Sequence, residues 1–221
     1  MFDLNEYINN FLDEAKAVYK ERLLYVGLQG SYLRGEAHEQ SDIDVMVVID
    51  GLCVEDMNAY RDMLERIGYS EKACGFICGR DEMKTWTPLE TIQLLNTTKD
   101  LYGNLEEFLP KAGREEEIIY VKTSLGNLYH ELCHRYIHAD REKNIRKFRA
   151  TLKGFFFLIQ NIYYLENGVF IKTKRELKEV VNDEDKKILM MAELPDDYDF
   201  DKEFDTVIEW CKKAFVRVDS F

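Results

Sequence analysis

The chain has 221 residues, of which 46% are hydrophobic and 33% charged, and its formal net charge at pH 7 is -12. This balance supplies both a core and a soluble surface, so it excludes a disordered chain and a collagen-like repeat. The negative charge argues against nucleic acid as a partner, because proteins that bind phosphate backbones present basic surfaces.

The sequence carries no pattern typical of membrane insertion or export. No apolar run approaches the ~20 residues that a membrane-spanning helix needs. The first residues, Met-Phe-Asp-Leu-Asn-Glu-Tyr, carry acids where a signal or transit peptide carries bases. We therefore expect a cytoplasmic protein with no membrane partner.

The cysteines do not form a recognisable framework. The chain has five of them, Cys53, Cys74, Cys78, Cys133 and Cys211. Cys74 and Cys78 are four residues apart in a predicted strand, which puts their Cα atoms ~13 Å apart, too far to share one metal ion. We expect all five to be reduced thiols in the core.

The first half of the chain has a mixed α/β pattern. Gly68 follows an amphipathic stretch and predicts a helix end, and Thr87-Pro88-Leu89-Glu90 combines an N-cap threonine with a proline at the first helical position. The segment beginning at Leu101 breaks the pattern. The predicted elements, in chain order, are a helix over 4–19, strands over 23–28 and 43–49, a helix over 55–67, a strand over 73–79 and a helix from 88 to about 96.

The second half is helical almost without interruption, with stops at Asn167-Gly168 and at Pro195-Asp196-Asp197. The change in periodicity near Pro110 predicts a domain boundary. We expect an α/β domain with a small mixed sheet over 1–110 and an all-α helical bundle over 111–221. The predicted helices of the bundle cover 115–138, 143–166, 174–191 and 201–216.

The most informative motif is a pair of acids at the start of the strongest strand. Asp42 and Asp44 are two residues apart, so their carboxylates project from one face of the strand with Cα atoms ~6.6 Å apart. Two like charges at the edge of a core are unfavourable unless a cation joins them. Because Mg²⁺ prefers hard oxygen ligands and completes its shell with phosphate and water, it is the expected ion.

A phosphate-binding pattern lies upstream, in Gly30-Ser31-Tyr32-Leu33-Arg34-Gly35. Gly30 lets a ligand approach the backbone, and Ser31 offers a hydroxyl and an amide at a predicted helix start. Arg34, one turn later, can add a guanidinium to the same phosphates.

These residues resemble a known superfamily. Gly-Ser, a short spacer and Asp-Ile-Asp on a strand are similar to the signature of the DNA polymerase beta-like nucleotidyltransferases. The run from Gly30 to Ala37, followed by Ser41-Asp42-Ile43-Asp44, is close to the form found in its small prokaryotic branch. That branch includes aminoglycoside and lincosamide nucleotidyltransferases and minimal nucleotidyltransferases paired with HEPN helical domains. The motif spans about 19 residues, while the similarity in layout covers the whole chain.

The resemblance implies transfer of a nucleoside monophosphate from an NTP, by default ATP, to a hydroxyl of a small molecule such as an aminoglycoside-like antibiotic. Asp42 and Asp44 would be catalytic and would hold Mg²⁺, with two ions when the NTP is bound. Gly30, Ser31, Arg34 and Ser41 would bind the nucleotide.

Two alternatives stay open: nucleotidylation of a protein, and a regulatory nucleotide-binding module without turnover. A monomer and a homodimer are both compatible with the sequence.

The sequence departs from the family pattern at the third carboxylate, which such enzymes often carry on a later strand. The strand over 73–79 has no acid, and Asp81, Glu82 and Asp100 lie beyond it. Aminoglycoside nucleotidyltransferases of similar layout can take the base from the helical domain. On that resemblance Glu131 is the candidate catalytic base, and His134 a second choice.

Two other features of the helical half admit more than one interpretation. The stretch 141–153 is locally basic, and either it is a solvated face or Lys147 or Lys153 contacts the triphosphate. We count Lys153 among the candidate nucleotide-binding residues. His130, His134 and His138 recur every four residues, so all three cannot bind one ion, since the first and last lie ~12 Å apart along the helix. Their row is a polar stripe, part of a nucleotide cleft or a metal site.

Overall fold

A computed structural model describes residues 2–195 and 197–221. The chain divides into two compact units, with the division between Lys111 and Ala112. The first unit contains all the strands that the structure describes in these ranges, and the second is helical. This is the predicted fold class, a small mixed sheet with helices followed by a helical half.

The first unit begins with a helix and carries a four-stranded sheet. Its elements are α1 (Leu4–Tyr19), β1 (Leu23–Leu28), α2 (Gly30–Arg34), β2 (Ile43–Ile49), α3 (Val54–Ile67), β3 (Ala73–Gly79), α4 (Arg80–Lys84), α5 (Thr91–Thr97) and β4 (Lys99–Tyr102). The predicted bounds of α1 and of the first three strands are confirmed. Asp3 caps α1 by accepting hydrogen bonds from the backbone N–H groups of Asn5 and Glu6.

The strands are arranged in the order β3-β2-β1-β4. The β1 strand is antiparallel to both of its neighbours, whereas β2 and β3 are parallel. The parallel pairing follows from the crossover through α3, because parallel strands need a long connection. In this register Asp44 of β2 lies beside Cys74 of β3.

The fourth strand, β4, was not predicted. It has only four residues, Lys-Asp-Leu-Tyr, and lies at the edge of the sheet, where it pairs with β1 alone. Its side chains are mostly exposed. A short polar edge strand buries no continuous apolar face, so it leaves no alternating pattern in the sequence.

The two faces of the sheet form separate cores. Helices α1 and α3 cover one face, where Phe11 and Met63 pack against Val45 and Val47. On the other face the core contains Tyr25, Met46, Val48, Cys78, Met83, Leu105 and Phe108. Asp44 has the same orientation as Met46 because side chains alternate along a strand. The first acid of β2 therefore stands at the margin of this second core.

The second unit consists of five helices within its described residues. They are α6 (Arg114–His138), α7 (Arg141–Asn167), α8 (Lys174–Val180), α9 (Asp183–Met190) and α10 (Phe200–Asp219). Gly168 ends α7 with a left-handed φ of 69°, which confirms the predicted stop there. Of the other predicted stop, Pro195-Asp196-Asp197, Asp196 lies outside the described residues. No helix in the described parts of the chain has the length and apolar character needed to cross a bilayer.

The prediction of one helix over 174–191 is wrong, because two helices occupy this stretch. The first, α8, ends at Val180, and Asn182 begins α9 by accepting a hydrogen bond from the backbone N–H of Asp185 at 2.9 Å. Asn at this position competes with helix continuation by satisfying a free N–H of the new helix. Asp185 is 1% exposed and accepts hydrogen bonds from Trp210 and Arg217, which ties α9 to α10.

The prediction that all cysteines lie in the core is wrong for two of them. All five are free thiols, but Cys53 and Cys74 are exposed, and Cys133 is half-buried. Cys78 and Cys211 are buried, as expected. Cys74 lies in the exposed first half of β3, whereas Cys78 lies in its buried second half, in the core with Met83.

The first turn of α6 buries a carboxyl group without a polar partner. Glu117 is 1% exposed, and among the described residues neither of its carboxylate oxygens has a hydrogen-bond partner. Burial raises the pKa of Glu117 from 4.5 to about 7. The folded protein therefore holds a proton on Glu117 more tightly than the unfolded chain does.

We expect Glu117→Gln to stabilise the protein at pH 8 but not at pH 4.5. A raised carboxyl pKa contributes stability that is present below the unfolded pKa and is lost as the pH rises through about 7. Glutamine stays neutral, so it escapes that loss, and the expected gain at pH 8 is on the order of 1 to 3 kcal/mol. Urea unfolding of both proteins at the two pH values measures the gain. A constant difference between the proteins at both pH values would contradict this assignment.

Candidate active site

The turn between β1 and α2 brings Gly30 against the Asp44 carboxylate. The backbone N–H of Gln29 donates a hydrogen bond of 2.9 Å to the carbonyl oxygen of Asp44, which holds the turn to the start of β2. Gly30 has a φ of 70°, and a Cβ at this position would collide with Asp44 Oδ2. Both the backbone conformation and the close approach therefore require glycine.

The candidate phosphate-binding side chains follow on the short helix α2. Gly35 ends this helix in a left-handed conformation, so the segment forms a single compact turn. Ser31 is half-buried. Arg34 is also half-buried, and its Nε donates a hydrogen bond of 3.0 Å to Glu36.

The two acids of the motif lie together, as the spacing predicts. Asp42 is exposed just before β2, and Asp44 is half-buried inside the strand. The pKa of Asp44 is raised overall. Burial and the charge of Asp42 raise it, whereas hydrogen bonding from Cys74 and the charge of Arg34 lower it. The Asp42 and Asp44 carboxylates thus repel each other at a partly desolvated position.

The donor set at this position suits a hard divalent cation. Carboxylate oxygens are the protein ligands that Mg²⁺ prefers, and two carboxylates leave positions for phosphate and water. A cation would offset the burial and the Asp42 charge that together raise the pKa of Asp44. Across residues 2–195 and 197–221, no group of three or more His, Cys, Asp and Glu side chains is arranged to hold a metal ion. The fit therefore rests on the Asp42 and Asp44 pair.

Sequence reasoning did not assign Cys74 to this site. Cys74 is exposed and pairs in register with Asp44. The backbone N–H of Gly75 lowers the pKa of Cys74, but burial and the charges of Asp44 and Asp42 outweigh this effect, so the pKa of the thiol is raised. The signal that could have found it is the parallel pairing of the two strands, which predicts which residues lie side by side.

Ser41 has a structural contact of its own. It is 7% exposed, its hydroxyl accepts a hydrogen bond of 2.9 Å from the backbone N–H of His38, and its own N–H donates to the carbonyl oxygen of His38. These two hydrogen bonds close the turn that leads into Asp42. Ser41 therefore positions the loop before the acid pair.

The alternative acids of the first unit lie apart from the pair. Asp100 is on β4 and accepts a hydrogen bond of 2.7 Å from the hydroxyl of Tyr25. The β1 strand separates β4 from β2. Asp81 begins α4, beyond the far end of β3, and its side chain is 91% exposed.

The candidates of the second unit lie on its two long helices. Glu131 of α6 accepts hydrogen bonds from Arg135 at 2.6 Å and from Thr151 at 3.1 Å, and its side chain is half exposed. Lys153 is exposed on α7. The rings of His130, His134 and His138 form an exposed row on α6, with centroids 5.8 and 4.7 Å apart.

Comparison with known proteins agrees with this geometry. Residues 8–77 match the nucleotidyltransferase domain family. A relative from Methanocaldococcus jannaschii, provisionally named a protein adenylyltransferase, is 37% identical over 70 residues, which cover 31% of this chain and 67% of the relative. The matched segment runs from α1 into β3 and so contains Gly30, Asp42 and Asp44.

A solved structure shares the fold. The spectinomycin adenyltransferase AAD(9) from Enterococcus faecialis, crystallised with ATP and spectinomycin, has a TM-score of 0.61 and 17% identity, covering 98% of this chain and all of that one. A chain of a toxin-antitoxin complex solved with AMP-PNP is 22% identical, and the match covers 60% of this chain and 94% of that one. Its TM-score of 0.34 is too low to indicate a shared fold.

A mixed sheet with a Gly-Ser turn packed against an Asp-x-Asp strand defines a nucleotidyltransferase domain, and the chain belongs to the nucleotidyltransferase domain family. The resemblance stated from the motif is thereby confirmed. The protein is accordingly an enzyme of the transferase class.

The close approach of Gly30 to Asp44 makes a matched pair of substitutions informative. Gly30 and Gly35 have φ values of 70° and 68°, but a Cβ at Gly35 meets nothing within 4 Å. We expect Gly30→Ala and Gly35→Ala each to cost about 1 kcal/mol of stability from the left-handed backbone. Only Gly30→Ala should also lose pyrophosphate release from ATP, because the added Cβ would displace the carboxylate of Asp44.

Chemical denaturation and a pyrophosphate assay on both variants separate the two effects. Equal activity in Gly30→Ala and Gly35→Ala would show that the orientation of Asp44 does not matter for turnover.

Proposed function

We propose that this protein transfers a nucleoside monophosphate from ATP to a hydroxyl group of a small molecule, with release of pyrophosphate. The observation that carries the proposal is the packing of Gly30 against Asp44, beside Asp42, in a chain of the nucleotidyltransferase family. In this arrangement the backbone of Gly30, which has no side chain, and the two carboxylates lie at the same end of β2. A triphosphate with its cation needs both features.

Each residue of the site has a distinct role in the proposal. Asp42 and Asp44 would hold Mg²⁺, with two ions when ATP is bound, and a cation held there would neutralise charge on the phosphates. Ser31 and Arg34 bind the phosphates through a hydroxyl and a guanidinium. Gly30 admits the phosphate to the backbone, and Ser41 shapes the loop that carries Asp42.

A small-molecule acceptor is supported by the layout of the chain. The fold shared with the spectinomycin adenyltransferase extends over 98% of this chain and includes its helical unit. That neighbour is named a spectinomycin adenyltransferase and was crystallised with ATP and spectinomycin. An acceptor of that class, with Lys153 of the helical unit contacting the triphosphate, is the first hypothesis.

A protein acceptor is the second hypothesis, and one observation favours it. The M. jannaschii relative, 37% identical over 70 residues, carries the provisional name of a protein adenylyltransferase. The third possibility, a module that binds nucleotide without turnover, is supported by the lack of an acid anywhere in β3.

One experiment separates the three. The protein is incubated with Mg²⁺, each α-labelled NTP and a panel of hydroxylated antibiotics, together with cell lysate proteins in parallel. A labelled small molecule supports the first hypothesis, and a labelled protein band supports the second. Nucleotide binding without pyrophosphate release supports the third.

We expect Asp44→Asn to lower the rate of transfer by about 10³-fold while the fold stays intact. Removing one negative charge beside Asp42 relieves repulsion, so the free energy of unfolding should not fall. Asp50→Asn is the matched control, since Asp50 follows the other end of β2 and pairs with Arg80 at 2.8 Å. Transfer rates and urea unfolding of both variants are the measurements. Full activity in Asp44→Asn would refute the proposed role of the acid pair.

We propose further that Glu131 is the base that deprotonates the acceptor hydroxyl. Glu131→Gln should lower the rate by about 10² to 10⁴ with nucleotide binding little changed. Glutamine can still accept from Arg135 and Thr151, so the local structure should persist. Asp81→Asn and Asp100→Asn serve as controls and should be near neutral. If either control loses activity while Glu131→Gln keeps it, the base lies in the first unit.

A further inference from the structure

The β3 strand brings a thiol to the acid pair at the place where Asp44 meets its parallel neighbour. Asp44 and Cys74 are partners in the ladder between β2 and β3. In-register side chains of parallel strands project from the same face, about 4.8 Å apart. Cys74 is therefore a direct neighbour of the carboxylate.

The glycine after Cys74 makes this approach possible. Gly75 has a φ of 110°, and a Cβ there would collide with the carbonyl oxygen of Val45. The backbones of β2 and β3 thus lie very close beside Asp44.

Two groups counter the negative charges at this position. One is Arg34, which also donates to Glu36 at 3.0 Å. The other is the Cys74 thiol, whose place beside Asp44 in the ladder between β2 and β3 puts an S–H donor next to the carboxylate. A carboxylate that must share a cation with a second carboxylate needs a defined orientation, and a neighbouring donor supplies one.

We propose that Cys74 is a positioning residue of the cation site. Its thiol donates a hydrogen bond to Asp44 and holds that carboxylate in the orientation in which Asp44 shares a cation with Asp42. This inference rests on the proposed function of the acid pair. The thiol is a donor here and not a ligand, because Mg²⁺ selects oxygen over sulfur. Serine, which keeps an O–H donor of similar reach, should replace it, whereas alanine should not.

The first test measures binding instead of turnover. Binding of a non-hydrolysable ATP analogue is measured at increasing Mn²⁺ concentrations. The titration gives the Mn²⁺ concentration at half-maximal nucleotide binding. Cys74→Ala should raise this concentration by about 10-fold through loss of a hydrogen bond to a charged group, and Cys74→Ser should stay within about twofold of the parent protein. Affinity for the analogue at saturating Mn²⁺ should be unchanged in both.

Cys78→Ala is the matched control for a purely structural effect. Cys78 is on the same strand and has the same orientation, but it is 6% exposed in the core beside Met83. The Cys78→Ala substitution should lower thermal stability without changing the Mn²⁺ concentration that nucleotide binding requires. If Cys74→Ala behaves like Cys78→Ala, or if Cys74→Ser fails as badly as Cys74→Ala, the positioning role is refuted.

Asp44→Asn separates failure of this inference from failure of the proposed function. Loss of Mn²⁺-dependent nucleotide binding in Asp44→Asn, together with a normal Mn²⁺ requirement in Cys74→Ala, refutes the role of Cys74 alone. Unchanged Mn²⁺-dependent binding in Asp44→Asn removes the acid pair from the cation site and refutes both.

A second measurement uses the exposure of the thiol. Cys53 is also exposed and lies at the N-terminus of α3, after the far end of β2, so it provides an internal reference. Alkylation is followed by peptide mass spectrometry with and without Mn²⁺ and the ATP analogue. Bound nucleotide should slow labelling of Cys74 and leave Cys53 unchanged. Equal slowing or no slowing of the two thiols would place Cys74 away from the bound cation.

Discussion

The candidate site depends on one close approach, that of Gly30 to the carboxylate of Asp44. The Gln29 N–H holds the turn to the carbonyl oxygen of Asp44, and the glycine leaves no atom where a Cβ would meet Oδ2. This single contact joins the end of β1, the start of α2 and the start of β2. The Gly30 turn and the start of the strand that carries Asp44 are therefore joined directly.

The site concentrates features that work against stability. Asp44 is half-buried beside a second negative charge, and Gly30 and Gly75 both have left-handed φ values next to it. In the second unit, by contrast, the buried carboxylate of Asp185 accepts hydrogen bonds from Trp210 and Arg217. Uncompensated charge and special backbone conformations are typical of functional positions, where the ligand supplies the missing partner.

The acceptor is decided by other parts of the molecule. Acceptor pockets are built from side chains that surround the reacting group, and these vary among proteins that share one catalytic motif. In the helical unit, Glu131 is held by Arg135 and Thr151 on α6 and α7, and Lys153 is exposed on α7.

The amino-acid sequence by itself determined the fold class, the bounds of α1 and the first three strands, and the motif of Gly30, Ser31, Asp42 and Asp44. These signals are local, because periodicity and short spacings act within one element. Tertiary structure alone decided the rest. The edge strand β4 has no apolar face of its own, and Asn182 interrupts a continuous helical pattern through a capping hydrogen bond. Cys74 joined the site only through strand pairing, which connects residues 30 positions apart in the chain and leaves no local pattern.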